Sequence, residues 1–544
     1  MTAAARAHRT AGTRNEKRRA MWTRSLRALG ICLGIVVVAC AGRDLGPAYA
    51  SYNQQRAERL FAVGYQDIAD IYIEDVALAE LALGGLKRLP AIDRGLRVQR
   101  KNASVVLSYK GQSRSFPLPT RADPDAWADL TADVIDRART YSKAVETTPA
   151  SGIYETVFSG IVAHLDRYSR YAGAEQAADN RAHRDGFGGI GVHIRVRPEG
   201  IEVMSVIDGS PAADAGLRRG DLITAVNGRP ATDIPRDGGA EVLRGPVDTD
   251  VHLTVKQADG QETRQIAVHR THIVPRTVTY EARGNAAYLR VSGFNQRTAR
   301  TLRESITRAK ADLGDRLAGY VLDLRDNPGG LLDQAVTVAD IFLARGQVVS
   351  THGRHPDSHQ YFDAEAGDAA ESAPLIVLIN ADSASASEIV AAALQDSGRG
   401  LVLGSTSYGK GTVQTVLRLP NEGELTLTWA RFMAPSGYAL SKHGVVPNVC
   451  TSLRERDDIG ALLRDLRRGA LAPGVQTRPT AAAGYTKADL GRQEALAACP
   501  AAGADPATDI ELARRLLQDP KLYRAAMAGK PARVAKADAT PVQP

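Results

Sequence analysis

Apolar positions follow two different periods along the chain, and each change of period marks a change of structure. Over residues 51–89 apolar side chains recur every three or four positions, which predicts amphipathic helix. The same period returns at 124–146 and again from Ser151. Between these stretches, 104–118 alternates like a two-stranded hairpin. We therefore predict a mainly helical N-terminal region that spans residues 51–180.

The next region contains short alternating strands separated by glycine-rich turns. Val192–Val196 and Ile201–Val206 alternate with period two, and the pair Asn227-Gly228 is typical of a tight hairpin turn. This pattern predicts a compact β-rich domain over residues 181–275.

From residue 276 to residue 450, buried strand patterns alternate with helical ones, which is typical of an α/β domain. The chain beyond it, 451–544, is helical in patches, and 530–544 is expected to form a disordered tail. The predicted fold class is therefore multidomain α+β. The predicted strands of the α/β domain are 287–291, 319–324, 375–379 and 401–403, and its predicted helices are 297–313, 331–343 and 387–396.

Length and charge narrow the classes of function. A chain of 544 residues is expected to fold into several domains. The formal net charge is +8, but residues 1–27 carry eight basic side chains against the single acid Glu16, so the remainder is close to neutral. A basic surface for nucleic acid is therefore not expected on the folded body. The basic residues of this arm are Arg6, Arg9, Arg14, Lys17, Arg18, Arg19, Arg24 and Arg27.

The basic arm runs into an apolar segment, residues 28–41, which is the layout of an export signal. The segment is shorter than the roughly 20 residues of a membrane-spanning helix. Three outcomes stay open: cleavage after Ala50, which we favour, acylation of Cys40 in a lipobox-like sequence, or retention as a membrane anchor. Each places the body on the periplasmic or outer side of the membrane. A buried helix of a cytosolic protein is the less favoured alternative.

Two of the four cysteines, Cys32 and Cys40, belong to the export segment, and the other two are Cys450 and Cys499. In an exported body, a remaining pair favours a disulfide over two free buried thiols. We therefore predict a bridge between Cys450 and Cys499, although their spacing alone does not bring them together.

The strongest chemical signal is a serine and a lysine in unusual local sequences. Ser385 lies within Ser383-Ala-Ser-Ala-Ser-Glu-Ile389, and Lys410 lies within Gly404-Ser-Thr-Ser-Tyr-Gly-Lys-Gly-Thr-Val-Gln414. A serine needs a base before it attacks a carbonyl, and a buried lysine can be that base. Near neutral pH this requires the lysine pKa to fall by about three units, and burial is the usual cause. The structural alternatives are a helix cap and a solvated loop lysine.

A glycine-rich loop and two other catalytic patterns carry weaker signals. Gly186-Phe-Gly-Gly-Ile-Gly191 fits G-x-G-x-x-G, but a strand pattern follows it, so a peptide-carboxylate loop or a plain turn fits better than a dinucleotide site. Ser407-Tyr-Gly-Lys410 fits S-x-x-K, but the flanking glycines disfavour the helical turn that motif needs. A histidine triad would use His164 or His443, and neither has a diagnostic context. We expect no cofactor, and no metal-ligand cluster is apparent.

Two resemblances unite these motifs. The order Gly188–Gly191, Ser210–Leu217, Gly220–Gly228 and Val242–Gly245 resembles a PDZ domain of the protease-associated type, which implies binding of C-terminal polypeptide residues. The second resemblance is to carboxyl-terminal processing proteases, the tail-specific serine peptidases of family S41, and it covers residues 150–450. It is carried by His164–Ser169, Asp323-Leu-Arg-Asp-Asn-Pro-Gly-Gly330, the two sequences around Ser385 and Lys410, and Pro435-Ser-Gly-Tyr438.

The second resemblance implies a role for each matching residue. Ser385 would be the nucleophile, Lys410 the general base, and Gln414 the group that orients the lysine. The oxyanion hole would use backbone N–H groups of Ala386 and of one of two glycines, Gly329 or Gly330. The PDZ resemblance implies a peptide-binding loop made of Gly188, Gly189, Ile190 and Gly191.

This chain also departs from its relatives at several positions. Arg167 and Tyr168 stand where Pro-His is common, Asp248 stands where a glycine is common, and Asn448 stands where an aspartate is common. None of these departures removes an implied catalytic group.

The resemblances imply a PDZ-like domain and a crotonase-like α/β catalytic domain. The implied function is an exported serine endopeptidase that captures a polypeptide tail and cleaves near its C-terminus through an acyl-enzyme. The alternatives are a non-catalytic PDZ-type scaffold and an acyl-CoA enzyme. The Ser-Lys pair is evidence against both. Polypeptide tails are the expected partners and nucleic acid is not. An adaptor protein, a homo-oligomer and membrane contact through the N-terminal segment are all compatible with the sequence.

Overall fold

The computed structural model describes residues 52–235, 238–258, 262–365, 367–437, 439–441, 443–452, 459–468, 470–471, 496–497, 499–501, 506–528 and 530–531. These residues belong to one compact unit, Ala50–Pro544. The predicted export segment and residues 532–544 of the predicted tail lie outside the described residues. Within the described part of the chain, no helix is long and apolar enough to cross a membrane.

The N-terminal region combines five helices with a three-stranded antiparallel sheet in the order β1-β2-β3. The predicted helix over 51–89 is interrupted at Tyr72, where Ile73 donates its N–H to the Thr428 carbonyl at 2.9 Å. The first strand was not expected from the sequence. The elements are α1 Gln54–Ile71, α2 Leu78–Leu86, a 3₁₀ turn Leu89–Ala91, β1 Leu96–Lys101, β2 Ser104–Tyr109, β3 Gln112–Pro117, α3 Pro124–Tyr141, α4 Lys143–Thr147 and α5 Ala150–Val162.

The middle region folds around a sheet in the order β11-β10-β8-β7-β6, in which β6 is an edge strand. Asn227 and Gly228 adopt positive φ values of 51° and 80°, as the predicted tight turn requires. The elements are β4 Arg170–Ala172, α6 Ala174–Asp185, β5 Phe187–Gly189, β6 Val192–Arg197, β7 Gly200–Val206, α7 Pro211–Asp214, β8 Leu222–Val226, β9 Arg229–Pro230, a 3₁₀ turn Ala231–Asp233, α8 Gly239–Leu243, β10 Asp250–Lys256, β11 Thr263–His269 and β12 Thr271–Ile273.

The α/β region contains two sheets. The larger has the order β13-β14-β15-β18-β19-β22 and is parallel from β14 onwards. The second has the order β17-β16-β21-β20, and β4 pairs with β21. The elements are β13 Val278–Arg283, β14 Ala286–Val291, α9 Thr298–Leu313, a 3₁₀ turn Gly314–Arg316, β15 Gly319–Asp323, α10 Leu332–Asp340, β16 Gly346–His352, a 3₁₀ turn Pro356–Ser358, β17 Gln360–Ala364, β18 Leu375–Ile379, α11 Ala386–Asp396, β19 Leu401–Gly404, β20 Thr412–Arg418, β21 Glu424–Met433 and β22 Val449–Cys450.

The large sheet is buried on both faces, which explains why its strands are continuous apolar runs. Leu289, Leu322 and Val377 face a core shared with α9, α10 and α11. Neighbouring residues point to the opposite face, where the C-terminal helices cover them. The elements of the C-terminal region are α12 Ile459–Arg467, β23 Ala470–Leu471, α13 Pro506–Gln518, α14 Pro520–Ala528 and β24 Lys530–Pro531.

A disulfide joins Cys450, at the end of β22, to Cys499. The same segment is held by a hydrogen bond of 2.7 Å from the Thr406 hydroxyl to the Cys499 carbonyl. The C-terminal region is therefore tied to the loop that follows β19.

Candidate active site

The turn between β18 and α11 carries Ser385 at the carboxyl end of the parallel sheet. Ser385 occupies the N-cap position of α11 with φ 57° and ψ −115°, a backbone conformation that non-glycine residues rarely adopt. The turn is fixed by the Ser383 hydroxyl, which donates to the Leu324 carbonyl at 2.8 Å and accepts the Asn380 N–H at 2.9 Å. Ser385 is therefore presented at a helix N-terminus, where developing negative charge is stabilised.

Glu388 links this turn to the loop that carries Lys410. Its carboxylate is fully buried and accepts the backbone N–H groups of Ser385 at 2.8 Å, Gly409 at 2.7 Å and Lys410 at 2.9 Å. It also accepts the Ser407 hydroxyl at 2.5 Å. Because the Ser385 and Lys410 amides share the same oxygen, Oε2, these two backbones lie close together.

Burial raises the pKa of the Glu388 carboxyl, while the four donors act in the opposite direction. No acid adjoins Lys410 in the sequence, so Glu388 reaches its loop only through the fold. The spacing Ser385-Ala-Ser-Glu388 is the S-x-x-E of a capping box, so a sequence signal for this carboxylate existed. Its contacts with the loop of Ser407 and Lys410 are not visible in the sequence.

Lys410 lies in the segment between β19 and β20, which is not helical, as its glycines predict. Burial and the nearby Arg170 lower the pKa of the Lys410 amine, whereas Glu388 and Asp166 raise it. The net direction is downward, which is the direction that a general base requires. The amine nitrogen lies 5.3 Å from the centre of the Tyr168 ring.

The side chains of Ser385, Lys410 and Gln414 are not joined to one another by hydrogen bonds in the described structure. None is found between Ser385 Oγ and Lys410 Nζ. The Gln414 amide donates to the hydroxyls of Thr412 at 2.8 Å and Thr428 at 3.2 Å, not to Lys410. The predicted roles of Lys410 as base and Gln414 as its orienting group therefore stay predictions.

Gly329 approaches the nucleophile turn more closely than any side chain could. A Cβ atom at Gly329 would lie 2.8 Å from Ser385 Cβ and 3.0 Å from the Ala386 nitrogen, and its φ is 104°. The Gly329 N–H already donates to Asn327 Oδ1 at 2.9 Å. Gly330 lies opposite Phe294 in a parallel bridge. The Phe294 N–H donates to the Gly329 carbonyl at 3.1 Å and the Leu331 N–H donates to the Phe294 carbonyl at 2.9 Å, so neither bond uses the Gly330 N–H.

The predicted peptide-binding loop, Gly188–Gly191, leads directly into the edge strand β6, beside α8. A Cβ at Gly188 would lie 2.0 Å from the Gly245 carbonyl, so this position has room for glycine alone. Ile190 is buried in the core of the middle region. The geometry matches a loop that precedes an unpaired strand edge, while the binding role itself stays a prediction.

The histidines and acids of the described residues form no metal centre. No group of three or more His, Cys, Asp or Glu side chains that could hold an ion occurs among the residues the structure describes. The Nδ1 atoms of His164 and His443 lie within hydrogen-bond distance of main-chain carbonyls. His443 is buried.

The sequence comparisons agree with this architecture. The model of peptidase family S41 matches residues 285–451, and a PDZ domain model matches residues 202–257. A carboxy-terminal-processing protease of Bartonella bacilliformis is 40% identical over 351 residues, which is 64% of this chain and 80% of that relative. A Staphylococcus aureus protein named "Probable CtpA-like serine protease" is 34% identical over 298 residues, which is 54% of this chain and 59% of that relative.

Among solved structures, the photosystem II D1 C-terminal processing protease is 25% identical to this chain. The match covers 72% of this chain and 92% of that one, with a TM-score of 0.35. On the family model and the Bartonella relative together, the chain belongs to peptidase family S41, the carboxy-terminal-processing proteases, and is a serine-type peptidase.

Proposed function

We propose that this protein is an exported endopeptidase that captures the C-terminal tail of a polypeptide and cleaves it with Ser385 as nucleophile and Lys410 as base. The observation that carries the proposal is the Glu388 carboxylate, which holds the backbone N–H groups of both residues on one oxygen.

In the first half of the reaction, Ser385 Oγ attacks the scissile carbonyl carbon and its proton passes to the neutral Lys410 Nζ. The resulting tetrahedral intermediate collapses when Lys410 gives that proton to the departing amine, which leaves an acyl-enzyme. In the second half, a water molecule attacks the ester and Lys410 accepts the proton of the water. Return of this proton to Ser385 Oγ releases the product acid.

The N–H groups of Ala386 and Gly330 are the hydrogen-bond donors that we assign to the oxyanion hole. The Ala386 N–H belongs to the first turn of α11, where the peptide N–H groups have no partner within the helix. Of the two glycines implied by the family, Gly329 already donates to Asn327. Gly330 is therefore the better second donor, while Gly329 provides the space beside Ser385.

Gln414 supports the same mechanism through its side-chain carbonyl oxygen. Its amide nitrogen donates to Thr412 and Thr428, so its carbonyl oxygen is the atom available to accept from Lys410.

The middle region supplies the tail capture. A peptide strand can add to the unpaired edge of β6, and the N–H groups of Gly188–Gly191 can receive its terminal carboxylate. The basic arm and apolar segment at residues 1–50 support export, so the substrates are proteins outside the cytoplasm.

The direct test is cleavage of an unfolded polypeptide with an apolar C-terminus, followed by mass spectrometry of the fragments. Ser385→Ala should abolish cleavage, and Lys410→Ala should slow it by about 10²–10⁴-fold because the general base is lost. Ser397→Ala, at the other end of α11, and Lys310→Ala, on the exposed face of α9, are matched controls that should cleave like wild type.

Fragments that persist with Ser385→Ala would overturn the assignment of the nucleophile. A wild-type protein that binds the tail without cutting it would instead favour the PDZ-type scaffold.

A further inference from the structure

A turn of the N-terminal region, Asp166–Ser169, lies over Lys410. Asp166 Oδ1 accepts the backbone N–H groups of Tyr168 and Ser169, both at 2.8 Å. The Ser169 hydroxyl accepts the Thr428 N–H at 3.2 Å. The turn is therefore fixed to β21, and Thr428 on that strand also holds Gln414.

Tyr168 presents the face of its ring to the lysine. Lys410 Nζ lies 5.3 Å from the ring centre, within the distance at which a cation is attracted to an aromatic face. Arg167 also contacts this residue: it donates to the Tyr168 hydroxyl at 2.5 Å, and its guanidinium lies 4.8 Å from the ring centre. Burial raises the pKa of the Tyr168 phenol, so this group stays neutral near pH 7.

We propose that Tyr168 is a positioning residue for Lys410: its ring holds the ammonium form of the lysine beside Ser385 in the resting enzyme and releases the neutral amine for proton transfer. The inference rests on the proposed function of Lys410 as base. It assigns a role to a residue at which this chain departs from the Pro-His common in its relatives.

The groups that face Lys410 shift its pKa in two opposite directions. Burial and Arg170 favour the neutral amine, whereas Glu388 and Asp166 favour the ammonium. Like Glu388 and Asp166, the Tyr168 ring favours the ammonium, because an aromatic face attracts the cation and does not attract the neutral amine in this way. Arg167 is the other cation beside the Tyr168 ring, and its guanidinium also lies 5.5 Å from the Tyr408 ring centre. Loss of the ring should therefore lower the Lys410 pKa.

The experiment is the pH dependence of kcat/KM for wild type and a series of substitutions at Tyr168. Tyr168→Phe keeps the ring face and should keep the acid limb of the profile in place. Tyr168→Leu should move that limb to lower pH by about half a unit to one unit, since cation–π attraction is lost. Tyr168→Trp should move it to higher pH. A purely packing role would lower the plateau without this ordered displacement.

A second readout does not depend on peptidase activity. The rate at which a small amine-acylating reagent modifies Lys410, followed by mass spectrometry against pH, reports the pKa of this amine directly. We expect the Lys410 midpoint to be lower in Tyr168→Leu than in Tyr168→Phe, and higher in Tyr168→Trp. Thermal unfolding confirms that each variant is folded. Equal midpoints for Leu, Phe and Trp would overturn the proposal. Ordered midpoints in a protein that lacks peptidase activity would retain the ring–lysine contact and reject only the role of Lys410 as base.

Discussion

At the scale of single residues, Glu388 is the group on which the geometry of the site depends. It accepts four hydrogen bonds, and three of them come from backbone N–H groups that have no other acceptor in the described structure. A buried acceptor of this kind is worth more to folding than a surface ion pair, because each donor left behind bears its full desolvation cost. The carboxylate also raises the Lys410 pKa, so it lowers the fraction of neutral amine near pH 7 while it aligns the two backbones.

Glu388→Ala should lower the free energy of unfolding by about 2–4 kcal/mol, because several buried donors lose their acceptor at once. It should also slow peptide cleavage, since the backbones of Ser385 and Lys410 are no longer held together. Urea unfolding and kcat/KM measure the two effects. The matched control is Glu304→Ala, an exposed glutamate paired with Arg300, which should change the unfolding free energy by less than about 0.5 kcal/mol. An unchanged urea midpoint for Glu388→Ala would contradict this role.

At the scale of elements, the site is a meeting of two turns, the one before α11 and the one after β15. The first places Ser385 in a left-handed conformation, and the second brings Gly329 against it. A Cβ at Gly329 would lie 2.8 Å from Ser385 Cβ, which makes the glycine a steric requirement of the site.

Gly329→Ala should reduce kcat/KM by about 10²-fold, because a displacement near 1 Å at the nucleophile is enough for a loss of that size. Gly284→Ala is a close control. Gly284 also has a positive φ, of 65°, but a Cβ there would meet no atom within 4 Å. This control should lose stability by about 1 kcal/mol and keep its activity. Equal activity losses in the two variants would show that backbone strain, and not contact with Ser385, is the cause.

The sequence predicted the regular elements near the site better than it predicted their contacts. Strand 375–379 has the predicted bounds, and the helix predicted at 387–396 begins one residue earlier. Both segments are rich in apolar residues, and their pattern can be read from the local sequence alone. The strand Arg170–Ala172 was not predicted, because three residues with mixed exposure carry no periodic signal. Its pairing with β21 depends on residues far along the chain, as do the contacts of Tyr168 and Glu388.

At the scale of the whole molecule, the predicted regions share their cores. The core of the N-terminal region includes Leu419, Leu425 and Leu427 from the β20–β21 hairpin. The predicted boundary at residue 180 therefore marks a change of pattern and not a separation of hydrophobic cores. Sequence periodicity cannot show such sharing, because it reports which residues are buried and not what buries them.

The C-terminal region reaches the site through buried polar contacts as well as the disulfide. Arg325, in the motif that carries Gly329, pairs with Asp323 at 2.7 Å and with Asp509 of α13 at 3.0 Å. Asp509 also accepts the Thr451 hydroxyl at 2.6 Å. In the described part of 451–544, helices α12 to α14 therefore cover the outer face of the catalytic sheet.

The most direct test of the central claim is the reaction of the protein with a phosphonylating reagent that attacks activated serine hydroxyls, read by intact mass and peptide mapping. We expect one adduct, on Ser385, and labelling that slows by about 10²-fold or more in Lys410→Ala at the same pH. Ser397→Ala should label like wild type. An adduct on another residue, or labelling of Ser385 that is unaffected by Lys410→Ala, would contradict the Ser385–Lys410 mechanism.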